Sequence, residues 1–400
     1  MRYSDKKIKI IFSIFCYCTI YVCIFSSCNN STTVSEVQSE FYEPIIMTYA
    51  YEQLSPKEQA LYTRMADALF NHELSIEDDL SDYTFEQINK VSRFIFLDYP
   101  QIFWATESGT IHFIEQNDVR SITGYDFKYI LTQSQKNNTQ SKINDAVQKF
   151  LNGLGNELNE YERILAAYEY ILENTDYDTA VRDKIAAGTS GDETAASQTI
   201  ASVFIDKKTV CAGYSKAMQY LLNQLGIFCV YISGSARGEG NNHAWNLVKI
   251  EGDYYLFDVT WGNPITEPVR ERRILYDYFG LTDADLSKTH IPNDELALPV
   301  CTATRYNYFV YNNLMLDEYD IIHIENIIRD AAAEKKTSVS MRFSNETLTE
   351  NAKDNLFGDN QDIFNILGNI SSNNPILDDT GVYYSFNSDI NVLNIELNYN

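Results

Sequence analysis

Two stretches within residues 49–98 space their apolar positions three and four residues apart, which is the pattern of an amphipathic helix. The first, SPKEQALYTRMADALF, begins with Ser55 as a candidate N-cap and Pro56 at the first helical position. Its apolar face comprises Leu61, Met65, Ala68 and Leu69. The second, TFEQINKVSRFIFLDYP, begins with Thr84 as the corresponding cap. The pattern therefore predicts two capped helices.

From Gln101 the pattern changes to short aromatic and β-branched runs, IFWATES, TIHFIE and YDFKYILT, with Gly109 and Gly124 at the breaks. Runs of this kind are typical of strands separated by turns. Together with the two helices they predict a small α+β N-terminal domain over residues 49–135, preceded by a polar tether over 29–48.

Residues 136–297 combine further helices with three consecutive strand patterns. Helices are predicted from Ser141 and within NEYERILAAYEYILENTDYD, and a loop is predicted over residues 186–195. Another helix is predicted in CAGYSKAMQYLLNQL, ended by Gly226. The strand patterns are IFCVYISG, HAWNLVKI and YYLFDVTW. We expect one domain here, and a third, small α/β domain over residues 298–400, where strand and helix patterns alternate.

The first 28 residues have the features of a targeting segment rather than of the fold. A basic start precedes the apolar run IIFSIFCYCTIYVCIF, and the small residues Ser26 and Ser27 stand just before Cys28. This end of the run resembles the lipobox of bacterial lipoproteins, which implies lipidation of Cys28 and an extracytoplasmic, membrane-anchored protein at the cell surface or in the periplasm. The alternative is an uncleaved signal anchor, which also places the body of the protein outside the cytoplasm.

The 400-residue chain carries a formal net charge of −25, and removal of residues 1–27 would leave about −28. A body this acidic repels nucleic acid unless basic residues cluster locally, and no such cluster appears in the sequence. The few cysteines include no CxxC pair and no Cys/His group with metal-ligand spacing. We therefore expect no nucleic-acid partner, no metal and no cofactor, and the sequence leaves the oligomeric state open.

Cys211 is predicted at the first position of a helix, directly before the small residues Ala212 and Gly213. A thiol at a helix N-terminus faces free backbone N–H groups and the positive end of the helix dipole, which favour the thiolate. The two small residues would let a substrate carbonyl approach the first turn, where backbone N–H groups can stabilise an oxyanion. The alternative is a cysteine that only packs in the core.

His243 and Asp258 are the partners that such a thiolate needs, a base and a group that orients the base. Glu251 and Gly252 predict a two-residue turn between their strands, which places Trp245 opposite Asp258. In that register His243, Trp245 and Asp258 share one face of the sheet, and a slip of one residue would separate them. Asp258 also stands in an apolar run, where a carboxylate needs a partner.

These three segments, VCAGYSKAMQYLLNQLGI, NNHAWNLVKIEGDYYLFDVTW and the preceding SQTIASVFIDKKT, resemble the transglutaminase-like superfamily, specifically its bacterial extracytoplasmic members, over about residues 140–295. The resemblance implies a papain-related α+β core in which the helix bearing Cys211 packs on an antiparallel sheet. It implies Cys211 as nucleophile, His243 as general base and acid, Asp258 as orienting carboxylate and Gln198 as a candidate oxyanion donor.

The resemblance also implies that Trp245 and Trp261 pack around the histidine–carboxylate pair, and we expect a structural role for His290 in the segment YDYFGLTDADLSKTH. The implied chemistry is acyl transfer from a peptide or protein amide through a thioester, as in a cysteine peptidase or a transglutaminase. A different class remains open, a non-catalytic surface lipoprotein that uses the same fold to bind peptides or glycans.

Overall fold

A computed structural model describes residues 48–77, 80–117, 119–237, 240–263, 274–372, 377–378 and 381–399. The predicted targeting segment, residues 1–28, and nearly all of the predicted tether lie outside the described residues.

The N-terminal part contains the two predicted helices and a three-stranded antiparallel sheet whose strands differ from the predicted ones. The predicted breaks at Gly109 and Gly124 lie inside two long strands, because these glycines stand at irregularities of the pairing rather than at turns, and the short strand Ser75–Ile76 was not predicted. Ser55 and Thr84 cap the two helices, and each forms a capping box: its side chain accepts a hydrogen bond from the backbone N–H of the third helical residue, whose side chain accepts one from the backbone N–H of the cap. The sheet has the order β1–β3–β2. The bounds are α1 (Pro56–Asn71), β1 (Ser75–Ile76), α2 (Phe85–Asp98), β2 (Ala105–Gln116) and β3 (Val119–Tyr129).

Four α-helices and a π-helical turn (Ser202–Asp206) follow in the described part of the chain, and this stretch departs from the predicted pattern in two places. The helix predicted from Ser141 begins earlier, because Thr132 and Gln135 form a capping box ahead of it. The loop predicted over 186–195 is interrupted by a short helix, where the Thr194 hydroxyl caps the backbone of Gly191. The bounds are α3 (Gln133–Gly153), α4 (Glu160–Asn174), β4 (Asp176–Tyr177), α5 (Thr179–Ala186), α6 (Asp192–Ala196) and β5 (Lys208–Thr209).

The central unit is a helix packed on a five-stranded antiparallel sheet of order β10–β6–β7–β8–β9. The helix, α7, packs against β6 and β7, and the buried side chain of Asn246 on β7 donates to the Ser215 carbonyl of the helix at 2.9 Å. Gly226, with a φ of 73°, ends α7 as predicted. The bounds are α7 (Cys211–Gln224), β6 (Cys229–Ala236), β7 (Gly240–Ile250), β8 (Asp253–Phe257), β9 (Phe279–Leu281), α8 (Asp283–Leu286) and β10 (His290–Pro292).

The C-terminal part has a second sheet, of order β11–β12–β14–β13, in which β11 and β12 are parallel. Buried aliphatic residues of its helices and strands form a separate hydrophobic core. The bounds are α9 (Tyr308–Tyr311), β11 (Met315–Leu316), α10 (Ile321–Ala333), β12 (Ser338–Phe343), α11 (Glu346–Phe357), α12 (Asp362–Ser371), β13 (Tyr383–Asn387) and β14 (Val392–Glu396).

The expected α+β class is confirmed, since a helix that begins with the candidate cysteine packs on an antiparallel sheet. The domain boundaries at 135 and 297 remain predictions. Of the helices in the described part of the chain, none combines the length and apolarity that a bilayer crossing requires.

Candidate active site

Cys211 is the first residue of α7, as the sequence predicts. Val210 precedes it in an extended conformation and provides no side-chain cap, so the N–H groups of the first turn have no capping side chain. The thiol is half-buried, and its Sγ lies 3.6 Å from the backbone carbonyl oxygen of Asn242 at the start of the neighbouring strand. The cysteine is therefore accessible, at the positive end of a helix.

Gly213 serves a different purpose from the one expected. Its α-carbon faces the hydroxyl of Thr209, and a β-carbon built there would lie 1.9 Å from Thr209 Oγ1 and 3.1 Å from Ser202 Oγ. The glycine thus allows α7 to pack closely on the preceding segment, rather than clearing space for a substrate. Ala212, in contrast, lines the cavity in front of the cysteine.

The hairpin register that would join His243 to Asp258 is present. Glu251 and Gly252 form the two-residue turn with φ values of 47° and 102°, and Ile250 pairs with Asp253. Asp258 itself differs from the prediction, because β8 ends at Phe257 and the chain then turns into a 3-10 helix over Thr260–Gly262. The carboxylate therefore projects from just beyond the strand.

Asp258 joins two imidazoles in a fully buried cluster. Its Oδ2 accepts a hydrogen bond from His243 Nε2 at 2.8 Å and another from His290 Nε2 at 3.1 Å. The backbone N–H of Trp261 donates to Oδ1 at 3.2 Å, and Thr289 Oγ1 lies 2.8 Å from His290 Nδ1. Each oxygen of this buried carboxylate thus has a donor, as a buried charge requires.

The cluster holds opposite charges on His243 and Asp258. Burial alone would raise the pKa of Asp258, but the two histidines hold it well below its usual range. Burial alone would lower the pKa of His243, but the Asp258 carboxylate outweighs it and raises the pKa to about 10, with a smaller contribution from the Cys211 thiol. His243 is thus an imidazolium at neutral pH. Its Nδ1 has no hydrogen-bond partner among the described residues.

Aromatic rings enclose the cluster, which confirms the packing expected of both tryptophans. The ring centroids of Trp261 and Trp245 lie 4.5 and 5.0 Å from that of His290, and Trp261 lies 5.7 Å from His243. Tyr278 packs on His290 at 5.6 Å. Apolar walls of this kind exclude water and strengthen the ion pair.

The hydrogen bond between His290 and Asp258 was not predicted from the sequence, in which His290 was expected to have only a structural role. It reaches Asp258 through the pairing of β10 with β6, in which His290 stands opposite Ala236. In the described part of the chain, His243, Asp258 and His290 form a group of side chains of the types that bind metal ions, and their potential ligand atoms lie within 4.8 Å of one another. A metal ion there would have to replace both hydrogen bonds to Asp258 Oδ2.

Cys211 and His243 both line a cavity of about 720 Å³. Gln198 lines the same cavity, so the structure brings it near the cysteine, although its side-chain amide donates to the Thr194 carbonyl at 2.8 Å. An amide nitrogen carries two hydrogens, so one donor of Gln198 remains. The cavity volume is that of a small-molecule or peptide-binding cleft.

The fold and this cluster define a class of α+β protein in which a helix-start cysteine stands beside a buried histidine–aspartate pair. Residues 148–259 match the model of the transglutaminase-like superfamily, so this part of the chain is a transglutaminase-like domain, as the sequence predicts. The matched range contains Cys211, His243 and Asp258 and ends before His290.

Among curated proteins, the chain is similar to the kyphoscoliosis peptidases of Homo sapiens and Mus musculus. The human protein is 28% identical over 149 residues, which cover 34% of this chain and 21% of the relative. The mouse protein is 27% identical over 169 residues, which cover 39% of this chain and 24% of the relative. The chain therefore matches between a fifth and a quarter of the length of these relatives.

Two solved structures are also similar to this chain. One is a TGase crystal structure with 17% identity and a TM-score of 0.29, covering 42% of this chain and 47% of the other. The second is a candidate cysteine protease from Cytophaga hutchinsonii with 15% identity and a TM-score of 0.24, covering 38% and 62%. At these TM-scores the fold assignment rests on the matched family model and the observed elements.

Proposed function

We propose that this protein is a cysteine acyl-transfer enzyme that acts on peptide or protein amides through a thioester on Cys211. One observation carries the proposal: a half-buried thiol at an uncapped helix start shares a cavity with an imidazole that a buried carboxylate keeps protonated. A protein that only binds peptides has no use for all three groups.

In the first step, the Cys211 thiolate forms a bond to the amide carbonyl carbon, and the C=O electron pair moves to the oxygen. The backbone N–H of Cys211, at the start of α7, and the remaining donor of Gln198 stabilise this oxyanion. His243 Nδ1, which no described hydrogen bond engages, then gives its proton to the departing amine as the C–N bond breaks. The products are a thioester and a free amine.

The group that attacks the thioester in the second step determines which of two activities the enzyme has. Attack by water on the thioester releases an acid, as in a peptidase or deamidase, whereas attack by an amine gives a new amide, as in a transglutaminase. In both cases His243 accepts the proton of the attacking group. We favour hydrolysis, since the similar curated proteins are named peptidases.

The acyl-transfer proposal is tested by alkylation of Cys211 with iodoacetamide across pH 5–9, read by mapping the Cys211 peptide. Burial raises the pKa of the Cys229 and Cys301 thiols, which keeps these two cysteines unreactive near neutral pH. We expect Cys211 to react at pH 6 at least about tenfold faster than a free cysteine peptide, and His243→Ala to abolish the excess. Reaction no faster than the free peptide, unchanged in His243→Ala, would favour the non-catalytic binder.

We also propose that the protein is an extracytoplasmic lipoprotein anchored through Cys28, on the sequence features of residues 1–28. Expression of the full chain in a bacterial host, followed by detergent phase partition, tests the anchor. We expect the wild type in the detergent phase, and Cys28→Ala to retain an uncleaved leader. Release of both proteins into the aqueous phase at the same mass would contradict lipidation.

A further inference from the structure

The cavity in front of Cys211 is basic, although the chain as a whole carries a net charge of −25. Four basic side chains and one carboxylate line it in the described part of the chain: Arg93, Lys128, Arg182 and Lys216, and Glu107. They come from five different elements, α2, β3, α5, α7 and β2, so no local run of the sequence reveals them. The fold thus places cationic side chains where the proposed substrate would bind.

Two of these cations are already neutralised. Arg93 forms an ion pair with Glu295 and donates to Ser233 Oγ at 3.1 Å. Arg182 pairs with the adjacent Asp183 at 2.7 Å. Both side chains therefore already have a carboxylate partner within the protein.

Of the other two cations, Lys128 is exposed and Lys216 is half-buried. No carboxylate of the described residues forms an ion pair with Lys216. Its Nζ lies 5.7 Å from the centre of the Tyr231 ring, which is a cation–π contact. Burial lowers the pKa of Lys216, and the Glu107 carboxylate, which lines the same cavity, opposes that effect without forming an ion pair. An ammonium held beside an aromatic ring in a cavity, with no ion-paired carboxylate among the described residues, is a site for an anionic ligand group.

Lys216 lies on the same helix as the reacting cysteine. It stands five residues after Cys211, which corresponds to about 7.5 Å along the axis of α7 and about 140° around it, so the two side chains reach their common cavity from different faces of the helix. Lys216 also follows Ala212 by four residues, on the same face of the helix, and Ala212 lines that cavity.

We infer that Lys216 binds a substrate carboxylate in the cavity beside Cys211, so that the enzyme prefers acidic peptides. This inference rests on the proposed acyl-transfer function and names its substrate class. The carboxylate could belong to a Glu or Asp side chain or to a peptide C-terminus, and both are recognised by the same ammonium chemistry.

The test uses three chloroacetyl dipeptides that alkylate Cys211, with rates read from the mass of the Cys211 peptide. Chloroacetyl-Ala-Glu-amide carries a side-chain carboxylate, chloroacetyl-Ala-Gln-amide is its neutral match, and chloroacetyl-Ala-Gln with a free C-terminus carries a terminal carboxylate. We expect one of the two acidic probes to react at least about tenfold faster than the neutral probe. The faster of the two identifies which carboxylate the site takes.

The matched variants are Lys216→Met, Lys216→Arg and Lys128→Met, the last at an exposed lysine that lines the same cavity. Lys216→Met should reduce the acidic preference to about onefold, while Lys216→Arg and Lys128→Met should retain it. The rate with iodoacetamide, which is neutral, is measured for each variant, and each probe rate is divided by it so that a general change in Cys211 reactivity cancels. Thermal unfolding checks that each variant is folded.

The outcomes separate the two proposals. Equal rates for acidic and neutral probes, with Cys211 still fast towards iodoacetamide, would overturn the inference and leave the acyl-transfer proposal in place. A preference for acidic probes that survives Lys216→Met would also overturn it. Slow iodoacetamide labelling with a Lys216-dependent acidic preference would support the carboxylate site and contradict the catalytic proposal.

Discussion

Replacement of Asp258 by Asn removes the charge that keeps His243 protonated while preserving the shape of the side chain. The rise in the pKa of His243 from 6.5 to about 10 corresponds to about 5 kcal/mol, at about 1.4 kcal/mol per pH unit. That magnitude agrees with the 3–5 kcal/mol, roughly, that breaking a buried ion pair costs. Without the carboxylate, burial opposes only the smaller contribution of Cys211, so the pKa of His243 should fall towards its ordinary value of 6.5.

The consequence can be stated at pH 8. A pKa of about 10 leaves about 99% of His243 as imidazolium, whereas the ordinary pKa of 6.5 leaves about 3%. NMR titration of the His243 ring, together with iodoacetamide labelling of Cys211, measures both the cause and its effect. We expect the imidazolium signal at pH 8 to be largely lost in Asp258→Asn. Labelling should be slower by up to about fourfold, because a free thiol with a pKa of about 8.5 is already about one quarter ionised at pH 8.

The matched control is Asp277→Asn. Asp277 is also buried, but its carboxylate contacts the side-chain amides of Asn387 and Asn394 and no histidine of the cluster. This variant should retain the His243 titration and the labelling rate even if it lowers the unfolding temperature. An unchanged His243 titration in Asp258→Asn would refute the assignment of the carboxylate as the source of the charge.

Three further predictions follow from the same geometry. The raised pKa of His243 should stabilise the folded protein fully below pH 6.5, and this stabilisation should be lost as pH rises through about 10. Denaturant titrations should therefore show that the difference in unfolding free energy between wild type and Asp258→Asn shrinks over that pH range. A difference that stays constant with pH would contradict the ion pair. Gly213→Ala should lower the unfolding free energy by about 1–3 kcal/mol, because the new β-carbon would overlap Thr209 Oγ1. The control Gly368→Ala in α12, where no atom lies within 4 Å of the new β-carbon, should raise the unfolding free energy by up to about 1 kcal/mol. Equal effects of the two substitutions would contradict the packing role of Gly213. His290→Phe should remove one donor from Asp258 and slow Cys211 labelling less than Asp258→Asn does, and a His243 titration unchanged from wild type would mean that His290 only fills space.

Local sequence signals explain why the heart of the site could be predicted. The turn at Glu251 and Gly252 sets the register of β7 against β8, and a two-residue turn leaves little choice of pairing. Cys211 stands where a helical pattern begins, and the end of that helix is marked by Gly226. Signals of this kind lie within a few residues of the groups they position.

The features that were missed depend on contacts between distant parts of the chain. His290 reaches Asp258 because β10 pairs with β6. These two strands are far apart in the sequence and no turn motif joins them, so their pairing cannot be predicted from local sequence. The role of Gly213 depends on the approach of Thr209, and the basic cavity depends on side chains from elements far apart in sequence. Periodicity predicts which face of an element is buried, and it does not predict which element covers that face.

The central claim is that Cys211 carries the acyl group of an amide substrate during turnover. Intact-mass spectrometry of the protein, quenched in acid during incubation with a library of acidic peptides, tests this claim directly. We predict a mass increase equal to a peptide acyl group, mapped to Cys211, sensitive to hydroxylamine, and absent from Cys211→Ala. Cleavage or transamidation of the peptides by Cys211→Ala at the wild-type rate would contradict it.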